Sequence, residues 1–134
     1  PNMAKNDGRV ISNFIVQALD NKNLSIYGDG SQTRSFCYVD DLIDGLIQVM
    51  NTGDSFKGPI NLGNDLELSI KDIAKKVIHL SNSKSLIEYL GAISDDPMQR
   101  KPDLELAQKT INWKPKIHID KGISLTIDYF KNQM

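Results

Sequence analysis

The sequence predicts an α/β fold. Short β-prone runs alternate with stretches of about ten to fifteen residues whose apolar positions recur at helical spacing, and glycine, asparagine and aspartate punctuate the joins. The strands are few and short, so a large independent parallel sheet is not expected.

Taken in order, Pro1 to Gly8 is polar and irregular. From Arg9 onward, Val10, Ile11, Phe14, Ile15, Ala18 and Leu19 form one broad helical face, which Asp20 to Asn23 ends. Leu24, Ile26 and Tyr27 make the first β-prone run. Gly28-Asp29-Gly30-Ser31 then supplies turn residues that tolerate positive φ and leave backbone N–H groups to point at a ligand. After the apolar run Ser35 to Val39, Asp40 or Asp41 is expected to cap a helix announced by Leu42, Ile43, Leu46, Ile47 and Met50. Asn51 to Gly58 reads as a loop and Ile60 to Asn64 as a short buried strand ending in a turn. Ser69 with Asp72 resembles a capping box, opening a helix that turns Ile70, Ile73, Ala74, Val77 and Ile78 inward.

Leu86 to Leu90 is the next strand, after a turn at Asn82 to Ser85. Gly91 to Lys101 lacks periodicity and suits a loop over a site. Pro102 starts a helix with Asp103 favourable to its dipole and Leu104, Ala107 and Ile111 on its narrow apolar face. Trp113-Lys114-Pro115 breaks it, and a last helix, capped by Asp120, carries Ile123, Ile127 and Phe130. The expected helices span about residues 10–20, 41–51, 70–81, 103–111 and 120–132.

Composition narrows the function. A chain of 134 residues is expected to be one domain with an ordinary core. Its net charge of −1, with mixed signs, gives no nucleic-acid footprint and no polybasic membrane patch. No stretch approaches the ~20 apolar residues of a membrane span, and no signal-peptide pattern is expected at the start. Cys37 is the only cysteine, which excludes a disulfide framework and makes a reducing cytoplasm the expectation. His79 and His118 lack ligand-like spacing, so no metal site is expected.

The chemically densest stretch is Leu24 to Asp41, L-S-I-Y-G-D-G-S-Q-T-R-S-F-C-Y-V-D-D. Arg34 lies within reach of the glycine turn, and a planar guanidinium beside free amides is a holder for phosphate or carboxylate. An ordinary loop followed by a solvated arginine is the competing reading. Y-G-D-G-S-Q-T-R-S-F-C-Y-V-D-D-L resembles the post-catalytic segment of the extended short-chain dehydrogenase/reductase family, the NAD-dependent sugar-nucleotide epimerases, dehydratases and decarboxylases. N-D-G-R-V-I-S-N-F-I-V-Q-A-L upstream and P-I-N-L-G-N, D-D-P-M-Q-R-K-P-D and N-W-K-P downstream are similar to the UDP-glucuronate decarboxylase (UDP-xylose synthase) branch, in the same order.

The resemblance implies that residues 1–134 form a single C-terminal, sugar-nucleotide-binding part of a Rossmann-type enzyme, without the N-terminal NAD-binding domain. It implies substrate-binding roles for Arg34 on the diphosphate and for Arg100 on the diphosphate or sugar acid. Ser25, Ile26 and Tyr27 would lie against the uracil and ribose. Tyr27 stacking on the base and Tyr27 packing a strand edge remain alternatives. Arg9 matches a ligand contact nearer the cofactor. Asn2 and Ala4 stand where the resemblance places an arginine and a histidine, which removes two ligand-facing groups. Asp41 and Trp113 also recur in the family, with helix capping and packing as their expected roles.

Hydride chemistry in that family needs a glycine-rich dinucleotide loop and a Tyr-x-x-x-Lys pair. Gly28-Asp29-Gly30 opens no such loop, and Tyr27, Tyr38, Tyr89 and Tyr129 are followed four residues on by Ser31, Leu42, Ile93 and Gln133. No catalytic residue is therefore assigned, and NAD, the cofactor of the full-length family, is not expected to bind this chain alone. The implied partners are a UDP-sugar and a separate N-terminal Rossmann half, in a family of homodimers. A stand-alone sugar-nucleotide-binding module is a second reading. A piece of a nucleotide-sugar 4,6-dehydratase or 4-epimerase is a third, disfavoured because such relatives tend to carry tyrosine where R-K-P-D places Arg100.

Overall fold

The computed structural model describes residues 9–51, 61–91 and 103–133. In chain order these form α1 (Val10–Leu19), β1 (Leu24–Tyr27), β2 (Thr33–Arg34), α2 (Val39–Met50), β3 (Leu68–Ser69), α3 (Ile70–Leu80), β4 (Ile87–Leu90), α4 (Glu105–Ile111) and α5 (Ile119–Asn132). The α/β class and the five helices hold, with ends shifted by one or two residues.

Two small sheets result. β1 and β4 pair in parallel, Leu24 opposite Ile87 through Tyr27 opposite Leu90. β2 and β3 pair antiparallel, Thr33 opposite Ser69 and Arg34 opposite Leu68. Helices α1, α3 and α5 pack on one another, and α1 and α3 pack on β1. Their inward faces (Phe14, Ile15 and Ala18; Ile73, Ala74 and Val77; Ile123, Ile127 and Phe130) close with Leu24 and Ile26 into the core. Apolar area removed from water drives this assembly, at about 1.5–3 kcal/mol per fully buried large aliphatic or aromatic side chain. The α3–β4 turn is tied down as well: Ser83 Oγ donates to the Ala18 carbonyl (2.6 Å) and the Lys84 N–H to Asn21 Oδ1 (3.1 Å).

The Ser69 cap forms as its spacing predicts, with Oγ accepting from the Asp72 N–H at 3.1 Å. Two other caps are corrected. Tyr38, with no side-chain cap bond, is the N-cap of α2, because the Asp41 side chain is drawn away to the segment after α4. At α5 the cap is His118, whose Nδ1 accepts from the Asp120 N–H; Asp120 instead reaches Lys76 on α3.

Asn61 to Asn64 is irregular rather than a strand. Leu62 turns under α2, its Cδ1 3.1 Å from where a Cβ on Gly45 would lie. The strand partner of β2 is Leu68–Ser69, which the sequence pattern does not announce. Ile60, residues 52–58 of the expected loop, residues 92–101 of the expected site loop and Pro102 lie outside the described residues. No described helix is long and apolar enough to cross a membrane, and the described residues hold no cluster of three metal-ligating side chains.

Candidate functional site

One end of the α1–β1–β4 unit holds Tyr27 and the start of α1. The turn after α1 reverses the chain, and Gln17 clamps the pair: its Oε1 accepts from the Ser25 N–H and its Nε2 donates to Ser25 Oγ, both at 3.2 Å. The start of α1, with Arg9 as its N-cap, therefore lies at the same end as Tyr27, the last residue of β1. β4 runs parallel to β1, so Leu90 reaches that end too. Carboxyl ends of parallel strands are where α/β sheets present ligand-binding loops.

The glycine turn closes this end. Gly28 and Gly30 have φ of 84° and 79°, a left-handed backbone that residues with a Cβ rarely adopt. The Gly28 N–H donates to the Leu90 carbonyl (2.9 Å), joining the ends of both strands. Gln32 Nε2 donates to the Tyr27 carbonyl (2.8 Å) while the Gln32 carbonyl accepts from the Ile70 N–H (2.9 Å). The Lys71 N–H reaches the Gly30 carbonyl (3.1 Å), so the turn sits on the N-terminus of α3.

Two of the four amides in this turn are not spare. The Gly28 amide serves Leu90, and the Ser31 amide and hydroxyl both donate to Asp29 Oδ1, at 2.9 and 2.6 Å. Those two bonds hold the Asp29 carboxyl below its ordinary range. An ionised carboxylate in the turn opposes a phosphate there.

Each assigned residue has a definite place. Ser25 is half-buried under Gln17. Ile26 is 1% exposed, so its side chain belongs to the core and only its main chain faces a ligand position. Tyr27 is 47% exposed, its ring open at the strand end. Arg34 is half-buried on β2, two residues past the Gln32 staple, with Nη1 donating to the Thr33 carbonyl at 2.6 Å. Arg9 is exposed at the start of α1. Arg100, Asn2 and Ala4 lie outside the described residues. Sequence reasoning missed Gln17 and Gln32, the two amides that fix β1 and its turn; a lone glutamine carries no signal of a partner eight or five residues away.

Cys37 lies beside a cavity of about 60 Å³ between the β2–α2 segment and α5, lined by Phe36, Tyr38 and Ile123 among others. Burial, assisted by the Asp41 charge, pushes its thiol up to about 11, so it is protonated and a poor nucleophile at neutral pH.

A dinucleotide loop presents free amides to the pyrophosphate, whereas here the Gly28 and Ser31 amides of the turn serve Leu90 and Asp29.

The profile of the NAD dependent epimerase/dehydratase family matches residues 1–63. The chain is 44% identical to UDP-glucuronic acid decarboxylase 1 of Xenopus tropicalis over 134 residues, 100% of this chain and 31% of that protein. With UDP-glucuronic acid decarboxylase 3 of Arabidopsis thaliana it shares 44% over 131 residues, 98% of this chain and 38% of the relative. It thus spans about a third of the curated relatives it matches, in their C-terminal part. Among solved structures it is similar to the UDP-glucuronic acid 4-epimerase of Bacillus cereus in complex with UDP-glucuronic acid and NAD. That similarity is 29% identity with a TM-score of 0.91, over 100% of this chain and 42% of the other. The motifs, the fold and the relatives converge: the chain belongs to the NAD dependent epimerase/dehydratase family and corresponds to the C-terminal part of its UDP-glucuronic acid decarboxylases.

Proposed function

We propose that residues 1–134 are the sugar-nucleotide-gripping part of a UDP-glucuronate decarboxylase-type enzyme, without decarboxylase activity or NAD binding of their own. The observation that carries this reading is 44% identity to decarboxylases along the whole chain, against 29% to the 4-epimerase whose fold it shares. In this reading Tyr27 stacks on the base, Arg34 holds the diphosphate and Arg100 meets the diphosphate or sugar acid. Arg9 lies towards the cofactor side. Hydride transfer and proton removal belong to the Rossmann half, whether on a longer chain or a separate one, and a reducing cytoplasm suits the single cysteine.

Residual affinity follows from energetics. A charge-assisted hydrogen bond contributes about 1.5–3 kcal/mol, so two arginines and a stacked base reach roughly the 4 kcal/mol of a millimolar complex. Titration of UDP into the labelled chain, followed by NMR, tests this. Shifts are expected at the Gly28–Arg34 turn, abolished by Arg34→Ala and retained by Lys22→Ala on the exposed turn after α1. Equal loss in both variants would mean diffuse charge attraction, and no shifts in the parent chain would sink the binding claim. UDP-xylose formed by the purified 134-residue chain would overturn the claim of inactivity.

A further inference from the structure

The outer edge of β1 is held by side chains; among the described residues no strand pairs with it. The Leu24 N–H donates to the Leu86 carbonyl (2.8 Å) and the Gly28 N–H to the Leu90 carbonyl (2.9 Å), both towards β4. Main-chain groups of a strand alternate between its two edges, so those of Ser25 and Tyr27 point away from β4. Two glutamines meet them there. Gln17 Oε1 accepts from the Ser25 N–H at 3.2 Å, and Gln32 Nε2 donates to the Tyr27 carbonyl at 2.8 Å. A main-chain N–H only donates, so Gln17 turns its oxygen to it and its amino group to Ser25 Oγ, also at 3.2 Å. This two-point hold fixes β1 lengthwise against α1. The core contacts of α1 come from Phe14, Ile15 and Ala18, so the half-buried Gln17 adds position rather than burial.

We propose that Gln17 is a positioning residue for the base of the bound nucleotide: by holding Ser25 it sets where the Tyr27 main chain meets that base. The proposal rests on the reading above, in which β1 lies against the base, and adds to it the role of Gln17. An outward N–H at Tyr27 selects an acceptor. Uracil has carbonyl oxygens on its edge, whereas cytosine replaces one of them by an amino group, a donor set against a donor. That discrimination fails if the strand slides, because a shift by one ring position lets cytosine offer its ring nitrogen instead. Substitution at Tyr27 leaves its main chain in place, so the side chain that holds the strand is the one through which this contact is altered.

The test is NMR titration of the 134-residue chain with UDP and with CDP, which carry the same phosphates and the same charge. The parent chain is expected to prefer UDP by about fivefold or more. Gln17→Met keeps the length of the side chain without its amide and should bring the two dissociation constants within about twofold, mainly by weakening UDP. Gln17→Glu keeps an acceptor for the Ser25 N–H and hydroxyl and should restore the preference; its added charge acts on both ligands alike. Equal weakening of both ligands in Gln17→Met, with a fall in Tm, would assign Gln17 to the fold alone and overturn the proposal. An intact preference in Gln17→Met overturns it too, and leaves the reading above standing. Should Gln17→Met not fold, Ser25→Ala removes only the hydroxyl end of the hold and should narrow the preference; a preference equal to the parent's would then overturn the proposal. A parent chain that binds UDP and CDP equally would show that this edge does not read the base, and one that binds neither removes the reading above together with the role of Gln17.

Discussion

The indole N–H of Trp113 donates to the main-chain carbonyl of Asp41 at 3.1 Å, a buried bond between residues 72 apart in the chain. The Asp41 carboxylate completes the join, Oδ2 accepting from the Lys116 and Ile117 N–H groups at 2.9 and 2.8 Å. One residue thus uses its main chain and its side chain to fasten the segment after α4 to the first turn of α2. This is the physical role of the N-W-K-P run. Asp41→Ala strands two amides and should cost about 2–3 kcal/mol, whereas Asp41→Asn keeps an acceptor oxygen and should cost under about 1 kcal/mol. Urea denaturation with equal m-values checks it. Equal losses in the two variants would show that the carboxylate acts through charge rather than as an acceptor.

The glycine turn makes a second prediction. At Gly30 the backbone φ is +79°, and a Cβ would come within 3.0 Å of Lys71 Cβ at the start of α3. Strain and contact act together, so Gly30→Ala should destabilise by about 1–3 kcal/mol. At Gly91 a Cβ meets nothing within 4 Å, and Gly91→Ala should leave the midpoint unchanged. A neutral Gly30→Ala would mean that the turn adopts another conformation.

Acid should loosen the contact between α3 and α5. Lys76 Nζ bonds Asp120 Oδ1 at 2.7 Å, and this hydrogen bond is the main cause holding the Asp120 carboxyl below its ordinary value of 3.8. A carboxyl whose folded pKa is depressed contributes stability above its unfolded pKa and loses it as pH falls through the folded one. The contribution is therefore present at pH 5 and above and fades below about pH 4. Both side chains are partly exposed, 31% and 47%, so the pair is worth only about 0.2–1 kcal/mol. Lys76→Met should flatten the fall in stability between about pH 5 and pH 2 by that amount, measured as ΔG against pH at low salt. An unchanged slope would show that the pair contributes nothing in solution.

Much of the fold was legible because its causes are local. The 3.6-residue recurrence of Phe14, Ile15 and Ala18, of Ile73, Ala74 and Val77, and of Ile123, Ile127 and Phe130 marked three helices and their buried faces. The Ser69 hydroxyl bonded the amide three residues on, as its spacing indicated. Gly28 and Gly30 took the positive φ that only glycine adopts freely. The place of Arg34 on the strand that follows the turn is local too, since it lies only six residues beyond Gly28.

Partnership across the chain was decided by tertiary structure. Asp41 looks like a helix cap in sequence, yet its carboxylate met two part-buried amides 75 and 76 residues away, and holding two donors outweighs capping a helix end that water serves. Asp120 gave up its expected cap to Lys76, with His118 taking the cap position. The turn seemed rich in free amides until Leu90 and Asp29 claimed two of them. Periodicity marks which faces of a helix are apolar, and so the apolar positions of α2 were legible. Which apolar face finds a neighbour depends on the shape and connection of every other element, and for Ile43, Leu46, Ile47 and Met50 the packing of α2 through Gly45 onto Trp113 left them facing outward.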